Sequence, residues 1–328
     1  MAEDFRWKLA EEDDQLSLFP SDDALERRGG VSGFEGLEFL HVRAGKIINE
    51  LPKGSGMPFR FTINPYRGCS HACVYCFARP THRYLNLDIG NDFDSKIVVK
   101  INAVERARSE LNSVAWQGEP VALGTNTDPY QRAEGKYRLT RGIVEALIEA
   151  RNPFSILTKS TLVLRDIDLL TEAAKFIPNS VNFSIPTLDV DVWQKTEPGT
   201  PHPRRRVDAV RRMRSAGVRS GVLVAPVLPG ISDGEEQLRE VVDACLNAGA
   251  SWVAPSMLHL KKGLRDHWMK WLHEKYPELL ERYEITYAGR AYVTREQKEE
   301  LVWRVSCYKG NERRTKDDKR GNDRSSRY

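Results

Sequence analysis

Three cysteines stand in one short stretch, Asn64-Pro65-Tyr66-Arg67-Gly68-Cys69-Ser70-His71-Ala72-Cys73-Val74-Tyr75-Cys76-Phe77, of a chain of 328 residues that holds only five. An odd count without a disulfide framework, and a start without a charged n-region followed by an apolar run, point to a reducing cytoplasm. There a tight cysteine group binds metal or does chemistry rather than forming cystine. Thiolates hold either zinc or iron-sulfur clusters. With zinc, His71 or His82 would complete a closed Cys3His set. With a cubane cluster, three cysteines hold three irons and leave the fourth open to a substrate or cofactor. A structural zinc site usually pairs CxxC with a distant second pair, and neither Cys245 nor Cys307 has a cysteine nearby to form one.

CxxxCxxC with an aromatic residue just before the third cysteine, here Tyr75, resembles the signature of the radical S-adenosylmethionine (radical SAM) enzymes. The resemblance implies a 4Fe-4S cluster on Cys69, Cys73 and Cys76. It also implies cleavage of S-adenosylmethionine, bound at the open iron, to methionine and a 5'-deoxyadenosyl radical, with the protein positioning and shielding that chemistry. A reductant such as flavodoxin or ferredoxin is the implied partner. From about 59 to 272 the text is similar to the spore photoproduct lyase-like branch, also labelled DNA-repair-photolyase-like, and within it to actinobacterial members of unknown substrate. Its other marks are Gly124-Thr125-Asn126-Thr127-Asp128-Pro129-Tyr130-Gln131, Ile156-Leu157-Thr158-Lys159-Ser160, Asn182-Phe183-Ser184-Ile185-Pro186-Thr187 and Val224-Ala225-Pro226-Val227-Leu228-Pro229-Gly230.

What the resemblance implies can be carried residue by residue. Asn126, Thr127 and Asp128 match the positions that recognise S-adenosylmethionine, the carboxylate suiting its ammonium. Read without the family, Thr-Asp-Pro is equally a turn. Lys159, at a strand's end, matches the group that meets the methionyl carboxylate, although a terminal lysine is commonly just solvated. Ser184 matches the ribose contact, Ala225 the small residue against adenine, and Tyr75 a main-chain contact and ring wall nearby. The chain departs from the lyases at Thr125, which stands where they carry a hydrogen-donor cysteine. Cys307, after Trp303 and Val305, is the remaining candidate donor, and Cys245 reads as a small core residue within an apolar helix.

The elements that must position these residues follow from apolar period. Strand-like runs fall at 59–64, 121–125, 154–159, 181–185, 221–226 and 252–257. Helical spacing appears at Ile101, Val104, Ala107 and Leu111, at Ile143, Val144, Leu147 and Ile148, and at Val207, Val210 and Met213. Gly217 and Gly249 fall just past helix ends, where a left-handed cap suits glycine. Alternating βα units predict a parallel sheet with right-handed crossovers. The resemblance adds the form, an incomplete (βα)6 TIM-like barrel with its chemistry at the C-terminal strand ends.

Four regions are expected: a partly flexible N-terminal arm over 1–58, a core barrel over 59–276, a C-terminal extension over 277–310 that packs on the barrel, and a disordered polar tail over 311–328. Within the arm, 36–51 is expected to form one helix. At 40% hydrophobic residues and with no apolar run long enough to cross a membrane, the composition is that of a soluble domain. A net charge of +4 is well short of a strongly basic nucleic-acid binder, but Arg204, Arg205, Arg206, Arg211, Arg212 and Arg214 array on one helix behind His202. Such an array would neutralise phosphates or grip an anionic small substrate, or form a solvated face. The expected enzyme abstracts hydrogen from a nucleic-acid base, with a peptide or metabolite as the second choice. The alternative of another class is a non-catalytic zinc module that binds nucleic acid.

Overall fold

The computed structural model describes residues 26–29 and 34–322, with side chains over 34–309. Strands are β1 (Glu26–Gly29), β2 (Glu38–Val42), β3 (Ile48–Glu50), β4 (Phe61–Ile63), β5 (Tyr66–Arg67), β6 (Lys96–Lys100), β7 (Val121–Leu123), β8 (Phe154–Thr158), β9 (Asn179–Ser184), β10 (Val222–Val227) and β11 (Val253–Met257). Helices are α1 (Asn91–Ser95), α2 (Ala103–Leu111), α3 (Arg132–Tyr137), α4 (Leu139–Glu149), α5 (Ile167–Ala173), α6 (Val190–Thr196), α7 (Pro203–Ser215), α8 (Glu235–Asn247), α9 (Arg265–Lys275), α10 (Leu280–Thr286) and α11 (Arg295–Asn322).

The main sheet runs β11-β10-β9-β8-β7-β4-β3. Its six strands from β4 to β11 pair in parallel, and β3 joins β4 antiparallel at one edge. Each of the six runs read from the sequence lies in this sheet. Val121, Ile156, Val181, Phe183, Val222, Val224 and Val253 are all enclosed, and these core-facing β-branched and aromatic residues are what the apolar runs record. Helices cover the connections, and Gly217 and Gly249 stand past α7 and α8 at φ of +83° and +84°.

A second sheet, β1-β2-β6-β5, lies outside the sequence expectations. Residues 36–51, expected as one helix, form β2 and β3 instead. Phe39, Leu40, His41 and Val42 are consecutive buried residues, because β2 pairs β1 on one side and β6 on the other. A strand buried on both faces has no alternation, which is what made its period ambiguous. At the other end, Trp268 of α9, Tyr283 of α10 and Tyr287 just past it enclose a second apolar cluster that includes Cys73 and Tyr75. Helix α11 packs on α8 and β11, and its Leu301, Val305 and Tyr308 join the main core. Its backbone continues through Asn322, into the segment read as a disordered tail. Residues 323–328, like half of the arm at 1–25 and 30–33, lie outside the described residues. Among the described residues no helix is long and apolar enough to cross a membrane.

Candidate functional site

The cysteines sit on the loop that follows β5, and hydrogen bonds to its backbone fix it from three sides. The Gln131 amide forms a two-point clamp, its Nε2 donating to the Gly68 carbonyl at 2.9 Å and its Oε1 accepting from Ser70 N at 3.0 Å. The buried Arg79 guanidinium donates to the carbonyls of Cys73 at 2.9 Å, Ile89 at 2.9 Å and Gly90 at 3.0 Å, and pairs with both oxygens of Asp94. From the far side Gly199 donates its N–H to the His71 carbonyl at 3.0 Å, and Val74 N donates to the Thr196 carbonyl at 3.1 Å. A Cβ on Gly199 would lie 2.1 Å from the Ser70 carbonyl oxygen, so only glycine permits that approach. Arg79, Gln131 and Gly199 all act on backbone far away in the chain, which no local pattern reveals.

Cys69 and Cys73 are buried, and Cys76 is half-buried. Burial pushes all three thiols above their ordinary range. For Cys69, Asp128 and the other two cysteines add to the effect, and for Cys73, Glu197 does. Three thiols that oppose one another's ionisation in one loop suit a group with several cationic centres, which favours all three thiolates together. His71 Nδ1 lies 3.3 Å from Asp128 Oδ2, and His82 Nε2 lies 3.0 Å from the Lys96 carbonyl oxygen. Among the described residues, no three His, Cys, Asp or Glu side chains converge as they would on a single ion.

Beside the loop, at the ends of β8, β9 and β10, four of the residues singled out from the sequence come together. Lys159 Nζ donates to Ser184 Oγ at 2.7 Å and to the Ala225 carbonyl at 3.4 Å, and lies 5.5 Å from the centre of the Tyr75 ring. Ser184 Oγ donates to the same Ala225 carbonyl at 2.8 Å. At the centre stands Glu197, which carried no assignment from the sequence. Its carboxylate accepts from Tyr75 Oη and pairs with Lys159 Nζ at 2.7 Å and Arg206 Nη2 at 2.5 Å. Burial alone works to raise this carboxyl, but Arg206 and Lys159, with the hydrogen bonds from Lys159 and Tyr75, hold it down at about 2. Two cations and one anion leave this cluster one positive charge in excess, beside buried thiols.

Arg206 therefore faces inward. Its Nη1 donates to the Ser184 carbonyl and its Nε to the Pro201 carbonyl, both at 3.0 Å, and its head is fully buried. The expected outward array on α7 is reduced further by Arg204 pairing with Glu240, Arg211 with Asp208, and Arg214 Nε donating to the Gly249 carbonyl. His202 caps α7 by accepting from Arg204 N.

The residues after β7 are held more tightly by the protein than a free recognition loop would be. Asp128 accepts from Thr158 Oγ1, Tyr130 N and Lys159 N, at 2.7, 2.9 and 2.6 Å, so it positions the end of β8. Thr127 donates its hydroxyl to the Tyr66 carbonyl at 2.9 Å, and Asn126 N donates to Asn64 Oδ1 at 3.2 Å. Cys307 is exposed on α11. Two residues on, Lys309 donates to the Val253 carbonyl at the start of β11, the opposite end from the cluster, so Cys307 does not belong to this site. Cys245 is a core residue of α8, its thiol pushed up to about 12 by burial.

A family model described as the Radical SAM superfamily matches residues 63–244, more than half of the chain, and the protein belongs to that superfamily. An uncharacterized protein of Mycobacterium tuberculosis is 45% identical over 273 residues, covering 83% of this chain and 80% of the relative. A radical SAM Nalpha-GlyT isomerase of Pseudomonas phage M6 is 28% identical over 207 residues, 59% of this chain and 41% of that protein. A spore photoproduct lyase variant with bound AdoMet and dinucleoside spore photoproduct has a similar fold, with a TM-score of 0.55 at 22% identity over 80% of this chain and 75% of the other.

Proposed function

We propose that this radical SAM protein carries a 4Fe-4S cluster on Cys69, Cys73 and Cys76 within an incomplete (βα)6 barrel, and that it abstracts hydrogen from a nucleic-acid base. When bound, the cluster supplies an electron that cleaves S-adenosylmethionine to methionine and a 5'-deoxyadenosyl radical. The observation that carries this reading is the Glu197 carboxylate, which bonds Tyr75 from the cysteine loop and Lys159 from the end of β8 at once, joining the two halves of the site.

The chain's own groups have separate tasks. Gln131, Arg79 and Gly199 hold the loop backbone so that the thiolates need not reorganise. Lys159, in a cluster with net positive charge and only 14% exposed, holds a carboxylate such as that of the methionyl group. Glu197 keeps that ammonium aimed, and Arg206 in turn holds Glu197. Ser184 and the Ala225 backbone form the floor beside it. Asp128 places Lys159 through its backbone N–H, and Asn126 and Thr127 shape the adjoining turn. No thiol is assigned as hydrogen donor, because Thr125 stands where the lyases carry cysteine and Cys307 lies at the far end of β11.

The choice of a base as substrate is supported by one structural neighbour, a spore photoproduct lyase variant described with a bound dinucleoside spore photoproduct. The electron is proposed to come from a flavodoxin or ferredoxin. The test is anaerobic reconstitution, iron and sulfide analysis, then reduction with S-adenosylmethionine and chromatography for 5'-deoxyadenosine. About four irons per chain, with product that disappears in Cys69→Ala, Cys73→Ala and Cys76→Ala, is expected. Stoichiometric zinc without iron or cleavage would overturn the reading.

A further inference from the structure

Beyond the third cysteine, three aromatic rings form a ladder that the site described above does not use. Phe77, the residue after Cys76, lies 5.6 Å from His259 at 33° between ring planes, and His259 stacks on Tyr292 at 5.2 Å and 18°. The segment just past β11 brings them together: Leu260 N donates to the Ala291 carbonyl at 2.7 Å, which sets Tyr292 over His259. The outer rings are open to solvent, Phe77 by 45% and Tyr292 by 58%. Two exposed aromatic rings on one ladder, Phe77 tilted against His259 and Tyr292 stacked on it, are costly to leave in water and are unusual away from a ligand surface.

The surroundings say what kind of ligand. Lys261 and Lys262 follow His259 by two and three residues, and Arg290 precedes Tyr292 by two. The Arg83 guanidinium lies against Gly263, 3.1 Å from where a Cβ there would stand. All four are exposed, and none forms an ion pair with the described residues. Burial and the neighbouring Lys261 lower His259 below its ordinary range, so the middle ring is neutral at pH 7 and stacks as an uncharged aromatic. Planar rings flanked by unpaired cations are complementary to a flat heterocycle carried on an anionic backbone, whereas a hydrophobic peptide would leave four charges unmatched.

We propose that the Phe77–His259–Tyr292 ladder is a stacking platform for an unpaired nucleobase, with the phosphates of the same strand held by Lys261, Lys262 and Arg83. This rests on the nucleic-acid reading of the site and extends it to a specific subsite one residue from the cysteine loop. It also requires a single strand or an extruded base, since only an unpaired base presents its ring face.

The experiment measures binding of fluorescein-labelled single-stranded oligodeoxynucleotides of about twelve nucleotides, and of abasic strands of the same length, to the reconstituted full-length protein. Tyr292 is the residue to change, because Phe77 variants would also disturb Cys76. Tyr292→Ala is expected to weaken binding of the base-bearing strand by about tenfold and leave the abasic strand unchanged, while Tyr292→Phe restores the affinity. Lys261→Ala with Lys262→Ala is expected to weaken both strands and flatten the salt dependence. Equal loss on both strands in Tyr292→Ala, no loss on either, or wild-type binding that favours duplex over single strand would overturn the platform. Cleavage of S-adenosylmethionine by the wild type is followed on the same preparation. Cleavage without oligonucleotide binding sinks the platform and the choice of substrate but leaves the radical chemistry standing, whereas absence of both sinks the whole reading.

Discussion

The cysteine loop and the strand-end cluster lie side by side, yet different forces hold them. The loop is fixed by directional hydrogen bonds to its backbone, from Gln131, Arg79 and Gly199, and its thiols stay available for other work. The cluster of Lys159, Glu197 and Arg206 is fixed by charge, with the Lys159 ammonium itself one of the members. The difference teaches that the loop should keep its shape when its thiols change, while the cluster should respond as a unit when any one charge is removed.

The largest break is expected at Glu197. Glu197→Ala leaves Lys159 and Arg206 facing each other in a buried site and should cost about 3–5 kcal/mol, seen as a large fall in Tm by thermal denaturation. An unchanged Tm would mean that the cluster is solvated and loosely held. Next comes Arg79→Met, which leaves three backbone carbonyls and Asp94 without their donor. We expect a loss of about 2–4 kcal/mol and poor iron retention. Gln131→Ala should cost about 1–3 kcal/mol, and its mark is slower or incomplete cluster reconstitution rather than global unfolding. Full reconstitution at the wild-type rate in Gln131→Ala would show that the clamp is dispensable.

A smaller effect sharpens the comparison through pH. The Glu197 carboxyl is held at about 2 against an ordinary 4.5, so its contribution to stability is fully present above about pH 4.5 and is lost as the pH falls toward 2. The Tm difference between wild type and Glu197→Gln should therefore shrink as pH drops through that window. A constant difference would contradict the ionised cluster. The smallest change expected is Arg204→Ala, whose exposed pair with Glu240 is worth about 0–1 kcal/mol.

Much of this was legible in the sequence, for identifiable reasons. The six parallel strands showed as apolar runs because of the Val, Ile, Leu and Phe they bury, and Lys159, Ser184 and Ala225 fell at or near the C-terminal ends of β8, β9 and β10, where parallel βα units gather side chains, with Tyr75 reaching them from the cysteine loop. Glu197 was not legible, since Glu197-Pro198-Gly199-Thr200-Pro201 reads as an ordinary loop and its three partners are scattered along the chain. Arg206 was misplaced for a related reason: six arginines at 204–214 look alike until the fold turns one of them inward. Asp128 carried a family expectation, and the bonds it accepts from Thr158, Tyr130 and Lys159, which tie it to the end of β8, left no local mark in the sequence. Strands β2 and β6 were missed because they pair across more than fifty residues and leave no local period.

The central claim is that loop and cluster make one site with divided labour, and one comparison tests it most directly. Wild type and Lys159→Met are reconstituted, reduced, and titrated with S-adenosylmethionine while the EPR signal of the cluster is followed. The account predicts equal iron content in both proteins, a signal in the wild type that changes on adding S-adenosylmethionine, and a change in Lys159→Met only at about tenfold or higher concentration. An identical titration in the two proteins would contradict it.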